Sequence, residues 1–370
     1  MSADTLPDAN QFDAYLMDMV EAGASDLFLV SQAPPSIKVG GVVQAMKLPP
    51  LTAPALQSLA AAIMSDAQIK QFEVSHECDL ALAVPGLARF RVNVYVQRGD
   101  IAMVVRHIPS TVPSFETLKL PPIVKTLAMQ RRGLVLIVGS VGSGKSTTLA
   151  SMLDYRNANA PGHILTVEDP IEFYHSHKKA IVSQREVGID TLSFDEALRH
   201  AMREAPDVIM IGEVRDATTL QHAVHYAESG HLCVTTMHAN NANQAIERML
   251  NFVEQGQHKR MLMDLSLNLR GIVAQRLVPG VDARLVLATE VMLQSSYVSD
   301  LIHKGQVEQI KLAMAKSTEV GMHTFDQSLF DLYSEGRLTL EQAIENADSK
   351  NDLALRARLD RKPAFRNTQS

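Results

Sequence analysis

The chain has 370 residues, of which 46% are hydrophobic and 21% are charged, and its formal net charge is −6. This composition is typical of globular domains and excludes disorder as the main state, while the length is sufficient for two or three domains. The negative charge argues against a nucleic-acid-binding surface over the whole protein, although a local basic pocket is compatible with it.

The sequence carries none of the usual signals for membranes or oxidising compartments. No apolar run approaches the roughly 20 residues that a membrane-spanning helix needs. Residues 1–10 contain no lysine or arginine and therefore do not resemble a signal peptide. The cysteines, Cys78 and Cys233, form no CxxC pair, which excludes a zinc ribbon and a CxxC redox motif. We therefore expect a soluble, cytoplasmic protein.

The first part of the chain predicts a mixed α+β domain over residues 1–108. Apolar residues recur at helical spacing over 12–22, and a second helix is predicted from 56 to 63, continuing toward Phe72. Strand patterns cover residues 25–30, 37–46, 78–84, 88–97 and 101–108.

The pattern changes after residues 109–122, which contain four prolines. Proline fixes φ and lacks an amide donor, so this segment is predicted to lack regular structure and to link two domains. Over residues 123–370, short apolar runs alternate with helical patterns. The apolar runs are typical of strands buried on both faces and cover 134–138, 164–167, 208–211, 232–235 and 285–288. The helical patterns cover 146–157, 194–204, 218–229, 243–253, 324–334 and 339–347. The alternation predicts an α/β domain with a mostly parallel sheet and helices on both faces.

The strongest motif follows the first of these strands and opens the first of these helices. Residues 139–146 match G-x-x-x-x-G-K-[ST], a loop that cradles nucleotide phosphates with backbone N–H groups at a helix N-terminus. Lys145 is expected to reach the β and γ phosphates, and Ser146 to hold Mg²⁺. The N-K-x-D tetrad of GTPases is absent, which favours ATP. The predicted nucleotide site consists of Gly139, Ser140, Val141, Gly142, Ser143, Gly144, Lys145, Ser146 and Thr147.

Acidic residues and a histidine follow the strands that are expected beside the phosphate loop. Glu213 comes one glycine after an apolar run and is predicted to hold Mg²⁺ directly or through water. Glu172 is the candidate base that activates the attacking water, with Glu168 and Asp169 as shaping or metal-side groups. His238 ends a further strand, where it is a candidate sensor of the γ phosphate.

A second group of polar residues imitates a metal site. His222, His225 and Glu228 recur on one predicted helix face, and His231 follows shortly after. Nothing in the sequence resembles H-E-x-x-H, so a catalytic zinc site is disfavoured.

Together these motifs resemble the secretion and type IV pilus ATPase superfamily, and within it the pilus retraction ATPases of the PilT/PilU family. The resemblance rests on the phosphate loop, the acidic box 168–172, the strand that ends at Glu213 and a histidine box at 230–238. It extends over most of the chain through residues 24–28, 88–93 and 212–216.

Other features resemble the PilU branch of this family more than the PilT branch. These are the segment 203–207, with the sequence Arg-Glu-Ala-Pro-Asp, and a C-terminal extension at 347–361. The segment 296–304 lacks both arginines that PilT-like proteins carry in the corresponding helix. The resemblance therefore implies an accessory motor that works with a PilT-like ATPase. The four-cysteine metal site of extension ATPases is absent, since the chain has only two cysteines.

The resemblance also implies a fold, an activity and partners. The implied fold is a PAS-like N-terminal domain and a RecA-like P-loop domain, assembled into a hexameric ring. ATP with Mg²⁺ would bind between the domains, and its hydrolysis would power or assist pilus retraction and twitching motility. By motif, Arg91 and Arg106 match the arginines that close on the phosphates. The implied partners are other copies of the chain, a PilT-like retraction ATPase and the inner-membrane pilus platform protein, at the cytoplasmic base of the pilus.

Two other functions stay open at the level of sequence. One is a RecA-like nucleic-acid translocase, which the lack of tryptophan and an aromatic content of 5% disfavour. The other is a nucleotide-binding ring component that mainly scaffolds a PilT-like ATPase. Since no nucleotide motif is broken, the sequence favours an active enzyme over this scaffold.

Overall fold

The structure is a computed structural model that describes residues 9–109, 111–282, 284–317 and 321–360. The extreme N-terminus, 1–8, and the last part of the predicted C-terminal extension, 361–370, lie outside the described residues. Among the helices described, none is long and apolar enough to cross a membrane.

The described chain forms two compact units. The first consists of the described residues up to Thr111, with two later segments, Ile171–Ser176 and Glu186–Leu192. The second consists of Val112–Pro170, His177–Arg185 and the described residues from Ser193 onward. The linear division expected from the sequence does not include the two later segments in the first domain.

The first unit is built on a six-stranded sheet. Its helices are α1 (Ala9–Glu21), α2 (Ala53–Ile63) and α3 (Asp66–Ser75). Its strands are β1 (Asp26–Leu29), β2 (Ser36–Val39), β3 (Val42–Ala45), β4 (Glu77–Val84), β5 (Ala88–Gln97) and β6 (Asp100–Ile108). The order is β3-β2-β1-β6-β5-β4, and every neighbouring pair is antiparallel. Leu16 of α1, Leu56 of α2 and Phe90 of β5 belong to one buried core, so the apolar faces predicted from periodicity are confirmed.

The helix predicted to continue from residue 56 toward Phe72 is interrupted between α2 and α3. Ser65 starts a new helix because its side chain accepts a hydrogen bond from the Gln68 amide, while the Gln68 side chain accepts one from the Ser65 amide. This reciprocal capping satisfies two amide donors that would otherwise lack partners at a helix start.

The proline-rich segment contains a short helix, so the prediction that it lacks regular structure is wrong at that point. The helix is α4 (Phe115–Leu118), and the Ser114 side chain caps it by accepting a hydrogen bond from the Thr117 amide. All four prolines of the segment lie outside α4. A further helix, α5 (Ile123–Ala128), begins immediately after Pro122.

The second unit is built on a seven-stranded sheet. Its strands are β7 (Gly133–Gly139), β8 (Gly162–Glu168), β9 (Ala180–Glu186), β10 (Val208–Ile211), β11 (Leu232–Met237), β12 (Leu269–Pro279) and β13 (Leu285–Leu293). The order is β13-β12-β7-β11-β10-β8-β9. The pairs from β12 to β8 are parallel, and β13 runs antiparallel to β12. The result is an α/β fold with a mixed, mainly parallel sheet.

Every strand predicted for this part of the chain is present, and two further strands, β9 and β12, were not predicted. Both contain polar residues within the strand, such as Arg185 in β9 and Gln275 and Arg276 in β12, so neither forms a continuous apolar run. The strand β7 is buried along its whole length, because β11 and β12 cover its two edges and helices cover its faces.

Helices follow most strands of the second unit, as the alternation predicted. They are α6 (Lys145–Asn159), α7 (Phe194–Ala201), α8 (Ala217–Glu228), α9 (Ala242–Asn251), α10 (His258–Asn268), α11 (Ser296–His303), α12 (Ile310–Ala315), α13 (Phe325–Ser334), α14 (Leu340–Asn346) and α15 (Lys350–Asp360). The parallel strands β7, β8, β10 and β11 all point their carboxyl ends to one edge of the sheet. That edge carries the candidate site.

Candidate functional site

The phosphate loop links β7 to α6 through glycines that the local geometry requires. A Cβ atom on Gly139 would lie 2.3 Å from the Ser143 Oγ and 2.7 Å from the Gln275 carbonyl oxygen, so only glycine fits there. Gly142 (φ +76°) and Gly144 (φ +87°) adopt the left-handed conformation, which glycine reaches without strain. Gly144 precedes α6, and no side chain of the described residues caps this helix start. Its first amides and its dipole are therefore suited to an anion.

Lys145 folds back over the loop instead of extending into solvent. Its Nζ donates hydrogen bonds to the carbonyl oxygens of Gly139 (3.0 Å) and Ser140 (2.9 Å). The same Nζ lies 3.5 Å from Nδ1 of His238. The side chain is buried, with 9% of the residue exposed. This places the positive charge inside the loop, where a bound phosphate would meet it.

Glu213 and His238 form a direct pair at the ends of neighbouring strands. Nε2 of His238 lies 2.9 Å from Oε1 of Glu213. The second carboxylate oxygen, Oε2, accepts a hydrogen bond from Nε of Arg215 at 2.8 Å. This bond to Glu213 raises the pKa of the Arg215 guanidinium. The two residues predicted from sequence are thus brought together with Lys145.

Hydrogen bonds between loops fix the ends of these strands. The Gly212 amide donates to the Val167 carbonyl (2.8 Å), and the Thr236 hydroxyl donates to the Gly212 carbonyl (2.7 Å). The Val214 amide in turn donates to the Thr236 carbonyl (2.9 Å). The ends of β8, β10 and β11 are therefore held in one arrangement, which fixes the backbone on either side of Glu213.

The acidic box divides between the two units. In the second unit, Glu168 is buried, and its Oε1 accepts hydrogen bonds from the Thr166 hydroxyl (2.6 Å) and the Gln184 side-chain amide (3.0 Å). Asp169 Oδ2 lies 3.5 Å from Nη1 of Arg215. Glu172 belongs to the segment Ile171–Ser176 of the first unit and is exposed.

A cavity of about 710 Å³ adjoins the phosphate loop within the second unit. Thr147 and Thr148 of α6 line it on one side, and Leu277 and Leu287 supply an apolar wall from β12 and β13. Gln275 bridges the two sides, because its side-chain amide donates to the Thr148 hydroxyl at 2.7 Å. Its apolar wall beside the phosphate loop is chemically suited to an aromatic ring.

Within the described part of the chain, two buried polar atoms at this cavity have no hydrogen-bond partner. They are Oγ of Ser143 and Oε1 of Gln275, in residues that are 3% and 1% exposed. Buried hydroxyl and amide oxygens nearly always have hydrogen-bond partners in proteins. Their placement beside the loop fits a polar ligand such as a nucleotide.

The two predicted arginines lie side by side in the first unit. Arg91 of β5 and Arg106 of β6 are directly opposite in the antiparallel pairing. Nε of Arg106 binds Oδ1 of the buried Asp26 at 2.9 Å, and Nη2 of Arg91 lies 3.7 Å from Oδ2 of Asp79. These carboxylates offset the repulsion expected between like charges across a strand pair.

The segment that carries Glu172 is tied to the remainder of the first unit. The Tyr174 amide donates to the Pro109 carbonyl at 3.2 Å, and the Arg89 guanidinium lies 5.0 Å from the centre of the Tyr174 ring. The Ile171 amide donates to a carboxylate oxygen of Glu186 at 3.1 Å. Glu172, Arg91 and Arg106 therefore all belong to the first unit, whereas Lys145, Glu213 and His238 belong to the second.

The histidines that imitate a metal site do not gather around one point. His222 pairs with Asp195 through Nε2 at 3.2 Å, while His225 is exposed on the same helix. Over the described residues, no group of three or more His, Cys, Asp or Glu side chains could hold a metal ion. A site for Mg²⁺ made of Ser146, Glu213 and phosphate oxygens does not need such a group, since Mg²⁺ takes few protein ligands.

Sequence reasoning did not assign roles to Arg215 or Gln275. Arg215 lies in the segment 212–216, which contributed only to the family resemblance. Its position two residues after Glu213 was the feature of the sequence that could have indicated a role in the site. Gln275 lies in β12, which was not predicted, so nothing in the sequence linked it to the phosphate loop.

The family model described as "Type II/IV secretion system protein" matches residues 2–350 of the chain. The chain belongs to this family. Among its members, the type IV pilus ATPase PilU of Pseudomonas aeruginosa is 50% identical over 350 residues, which cover 94% of this chain and 92% of PilU. The pilus retraction ATPase PilT of the same organism is 42% identical over 88% of this chain and 94% of PilT.

Solved structures of the family agree with the fold. A crystal structure of the pilus retraction motor PilT with bound ADP matches with a TM-score of 0.87 and 39% identity, over 94% of this chain and 99% of that chain. The resemblance to PilT/PilU pilus ATPases that the motifs indicated is thereby confirmed, and so is the α/β class of the fold.

Proposed function

We propose that the chain is an ATP-hydrolysing motor subunit, of the PilU kind, that powers or assists type IV pilus retraction and twitching motility. The observation that carries the proposal is the contact of the phosphate-loop Lys145 with His238, which in turn binds Glu213. This arrangement connects a nucleotide site to the ends of two neighbouring strands. The names of PilU and PilT, which are pilus ATPases, support the same activity.

ATP and Mg²⁺ are the proposed ligands of this site. The uncapped start of α6, the buried Lys145 and the unpartnered oxygen atoms of Ser143 and Gln275 fit a nucleotide. The Ser146 hydroxyl and the Glu213 carboxylate would hold Mg²⁺. Both oxygens of Glu213 already accept a bond, but each carboxylate oxygen has a second lone pair for a water ligand. When bound, Mg²⁺ supplies positive charge to the β and γ phosphates.

Residues of the chain bind the phosphates, sense the γ phosphate and activate the attacking water. Lys145 and the loop amides bind the phosphates, and His238 senses the γ phosphate through its contact with Lys145. Glu172 accepts a proton from the water that attacks the γ phosphorus, and the leaving group is ADP. Arg91 and Arg106 neutralise charge that develops on the phosphate oxygens. Because these last three residues belong to the first unit, hydrolysis would respond to the position of that unit.

The proposal extends to assembly and location. A PAS-like first unit and a RecA-like second unit would assemble as a hexameric ring. The ring would work at the cytoplasmic face of the inner membrane, together with a PilT-like retraction ATPase and the pilus platform protein. The expectation of an accessory motor is supported by α11 (Ser296–His303), in which no residue is an arginine.

The alternative is a nucleotide-binding ring component that mainly scaffolds a PilT-like ATPase. The lack of arginine in α11 does not distinguish it from an accessory motor. Steady-state ATP hydrolysis by the purified chain, alone and mixed with a PilT-like ATPase, separates the two functions. The motor predicts turnover by the chain alone. The scaffold predicts that the chain alone binds nucleotide without turnover, and that a mixture with a PilT-like ATPase inactivated at its own phosphate-loop lysine shows no turnover either. That pair of results would replace the motor with the scaffold.

A further inference from the structure

Arg215 bridges the carboxylates of Glu213 and Asp169 at the strand ends beside the phosphate loop. We propose that Arg215 is a positioning residue for ATP hydrolysis, which holds the Glu213 carboxylate in the orientation that faces His238. This inference rests on the proposed ATPase function and assigns a task within the same site. Every contact that carries it lies within the second unit.

The guanidinium of Arg215 contacts the acids with different atoms. Its Nε donates to Oε2 of Glu213 at 2.8 Å, and its Nη1 lies 3.5 Å from Oδ2 of Asp169. A guanidinium presents donors at fixed angles in one plane, so it can fix the direction of one carboxylate while it remains near another. Lysine has a single charged nitrogen on a flexible chain and cannot reproduce both contacts with the same geometry.

Electrostatics explain why a cation is needed at this point. Asp169 follows β8 directly and Glu213 follows β10 after one glycine, and these strands are parallel neighbours. Carboxylates at adjacent strand ends repel each other unless a cation lies between them. Arg215 supplies this charge, since its guanidinium contacts both Glu213 and Asp169.

The orientation of the Glu213 carboxylate determines that of the His238 imidazole. With Oε2 bound to Arg215, the other oxygen faces Nε2 of His238 at 2.9 Å. The opposite nitrogen of this ring then faces Nζ of Lys145 at 3.5 Å. The order of contacts is therefore Arg215, Glu213, His238, Lys145. Without the guanidinium, Glu213 retains its contact with His238 and loses the bond that fixes its rotation.

A role in positioning differs from a role in binding phosphate. A phosphate-binding arginine contributes to the affinity for ATP, so its loss raises KM. A positioning residue that acts on Glu213 affects the reacting state, so its loss lowers kcat and leaves KM nearly unchanged. The Arg215 side chain is 56% exposed, so a small guanidinium ion from solution can reach the place that a truncated side chain leaves empty.

The test is the steady-state ATPase of the full-length chain carrying Arg215→Ala or Arg215→Lys. The control is Arg199→Gln, which removes an exposed arginine of the same unit that pairs with Asp195 at 2.7 Å on one helix. We expect Arg215→Ala to lower kcat about 10-fold or more with KM for ATP within about 3-fold of the parent. Arg215→Lys should retain more activity than Arg215→Ala, and Arg199→Gln should match the parent. Added guanidinium ion should raise the kcat of Arg215→Ala and leave that of Arg199→Gln unchanged.

The outcomes separate this inference from the proposed function. If the parent does not hydrolyse ATP, the proposed function fails, and the parent measurement alone shows it. If the parent is active and Arg215→Ala keeps its kcat, or raises KM with kcat unchanged, Arg215 does not position Glu213. Lack of rescue by guanidinium ion, in a variant whose melting temperature equals that of the parent, also overturns the inference. If Arg215→Ala does not fold, the deciding measurement is the comparison of Arg215→Lys with Arg199→Gln. Equal kcat values in these two variants would contradict the inference.

Discussion

His238 joins the strand end at Glu213 to the phosphate loop, because its Nε2 lies 2.9 Å from Oε1 of Glu213 while its Nδ1 lies 3.5 Å from Nζ of Lys145. A ligand that draws the Lys145 ammonium away from the loop carbonyls changes what the imidazole faces. The change is then transmitted to the ends of β10 and β11 through the His238 side chain. This contact is the physical reason to expect that phosphate binding alters the arrangement of these strand ends.

Glu213→Gln and His238→Ala should each impair turnover more than nucleotide binding. Glu213→Gln removes the negative charge of the pair and His238→Ala removes the imidazole, but the loop amides and Lys145 that bind the phosphates remain. We expect kcat to fall about 10-fold or more, with KM for ATP within about 3-fold of the parent, in steady-state ATPase measurements. His225→Ala is the matched control, since His225 is an exposed histidine of the same unit. A parental kcat in either variant would show that the pair has no part in hydrolysis.

Gly139→Ala should destabilise the second unit, because the new Cβ would overlap the Ser143 Oγ at 2.3 Å and the Gln275 carbonyl at 2.7 Å. The loop must shift to accept it, at a cost of about 1–3 kcal/mol in the free energy of unfolding. Gly256→Ala is the control, since its Cβ would have no atom of the described residues within 4 Å, and should change stability by less than about 0.5 kcal/mol. Denaturant unfolding measures both. Equal stability of the two variants would mean that the close approach at Gly139 is relaxed at no cost.

His323 should make stability depend on pH below its ordinary pKa of 6.5. Burial lowers the pKa of this histidine in the folded chain, where Nε2 lies 2.9 Å from the Thr289 hydroxyl oxygen. The unfolded chain therefore binds a proton first, and stability falls as pH decreases from 6.5 toward the folded pKa. Between pH 6.5 and 5.5 this effect reaches at most about 1 kcal/mol.

The measurement for His323 is the free energy of unfolding at several pH values, in the parent and in His323→Asn. The variant loses some stability at every pH, so the informative quantity is the slope with pH. We expect a smaller loss of stability on acidification in the variant. Identical slopes would show that His323 does not titrate differently in the folded and unfolded chains.

Filling the cavity beside the phosphate loop should weaken nucleotide binding. Leu287 lines this cavity from β13, and Leu287→Trp adds bulk where a base is expected to lie. We expect KM for ATP to rise about 10-fold. Leu312→Trp, at an exposed position that lines a different cavity, is the control. If both variants bind ATP with parental affinity, the base does not occupy this cavity.

The fold could be predicted wherever hydrophobic periodicity dominates. Continuous apolar runs identified β7, β8, β10 and β11, because such strands are buried on both faces. The same rule missed β12, whose Gln275 and Arg276 point to polar partners, the Thr148 hydroxyl and the Asp348 carboxylate. Such partners come from distant parts of the chain and cannot be inferred from local pattern. The break between α2 and α3 was missed because the capping of Ser65 and Gln68 was not recognised.

The site was predictable where a motif and a strand end coincide. Lys145, Glu213 and His238 follow buried strands, so the topology brings them to one edge of the sheet. The acidic box was harder to interpret. Sequence adjacency placed Glu168 and Glu172 in one group, but Glu172 belongs to the first unit and Glu168 to the second. Which unit a segment joins depends on contacts such as that of Tyr174 with Arg89, which are not visible in the sequence.

ATP hydrolysis by the Lys145→Ala variant tests the central claim most directly, with Lys304→Ala as the control for loss of a lysine that pairs with Asp300 at 2.7 Å. The account predicts that Lys145→Ala stays folded like the parent but shows no ATP turnover, whereas Lys304→Ala retains the parental rate. Turnover of ATP by Lys145→Ala at the parental rate would contradict the assignment of the phosphate loop as the nucleotide site.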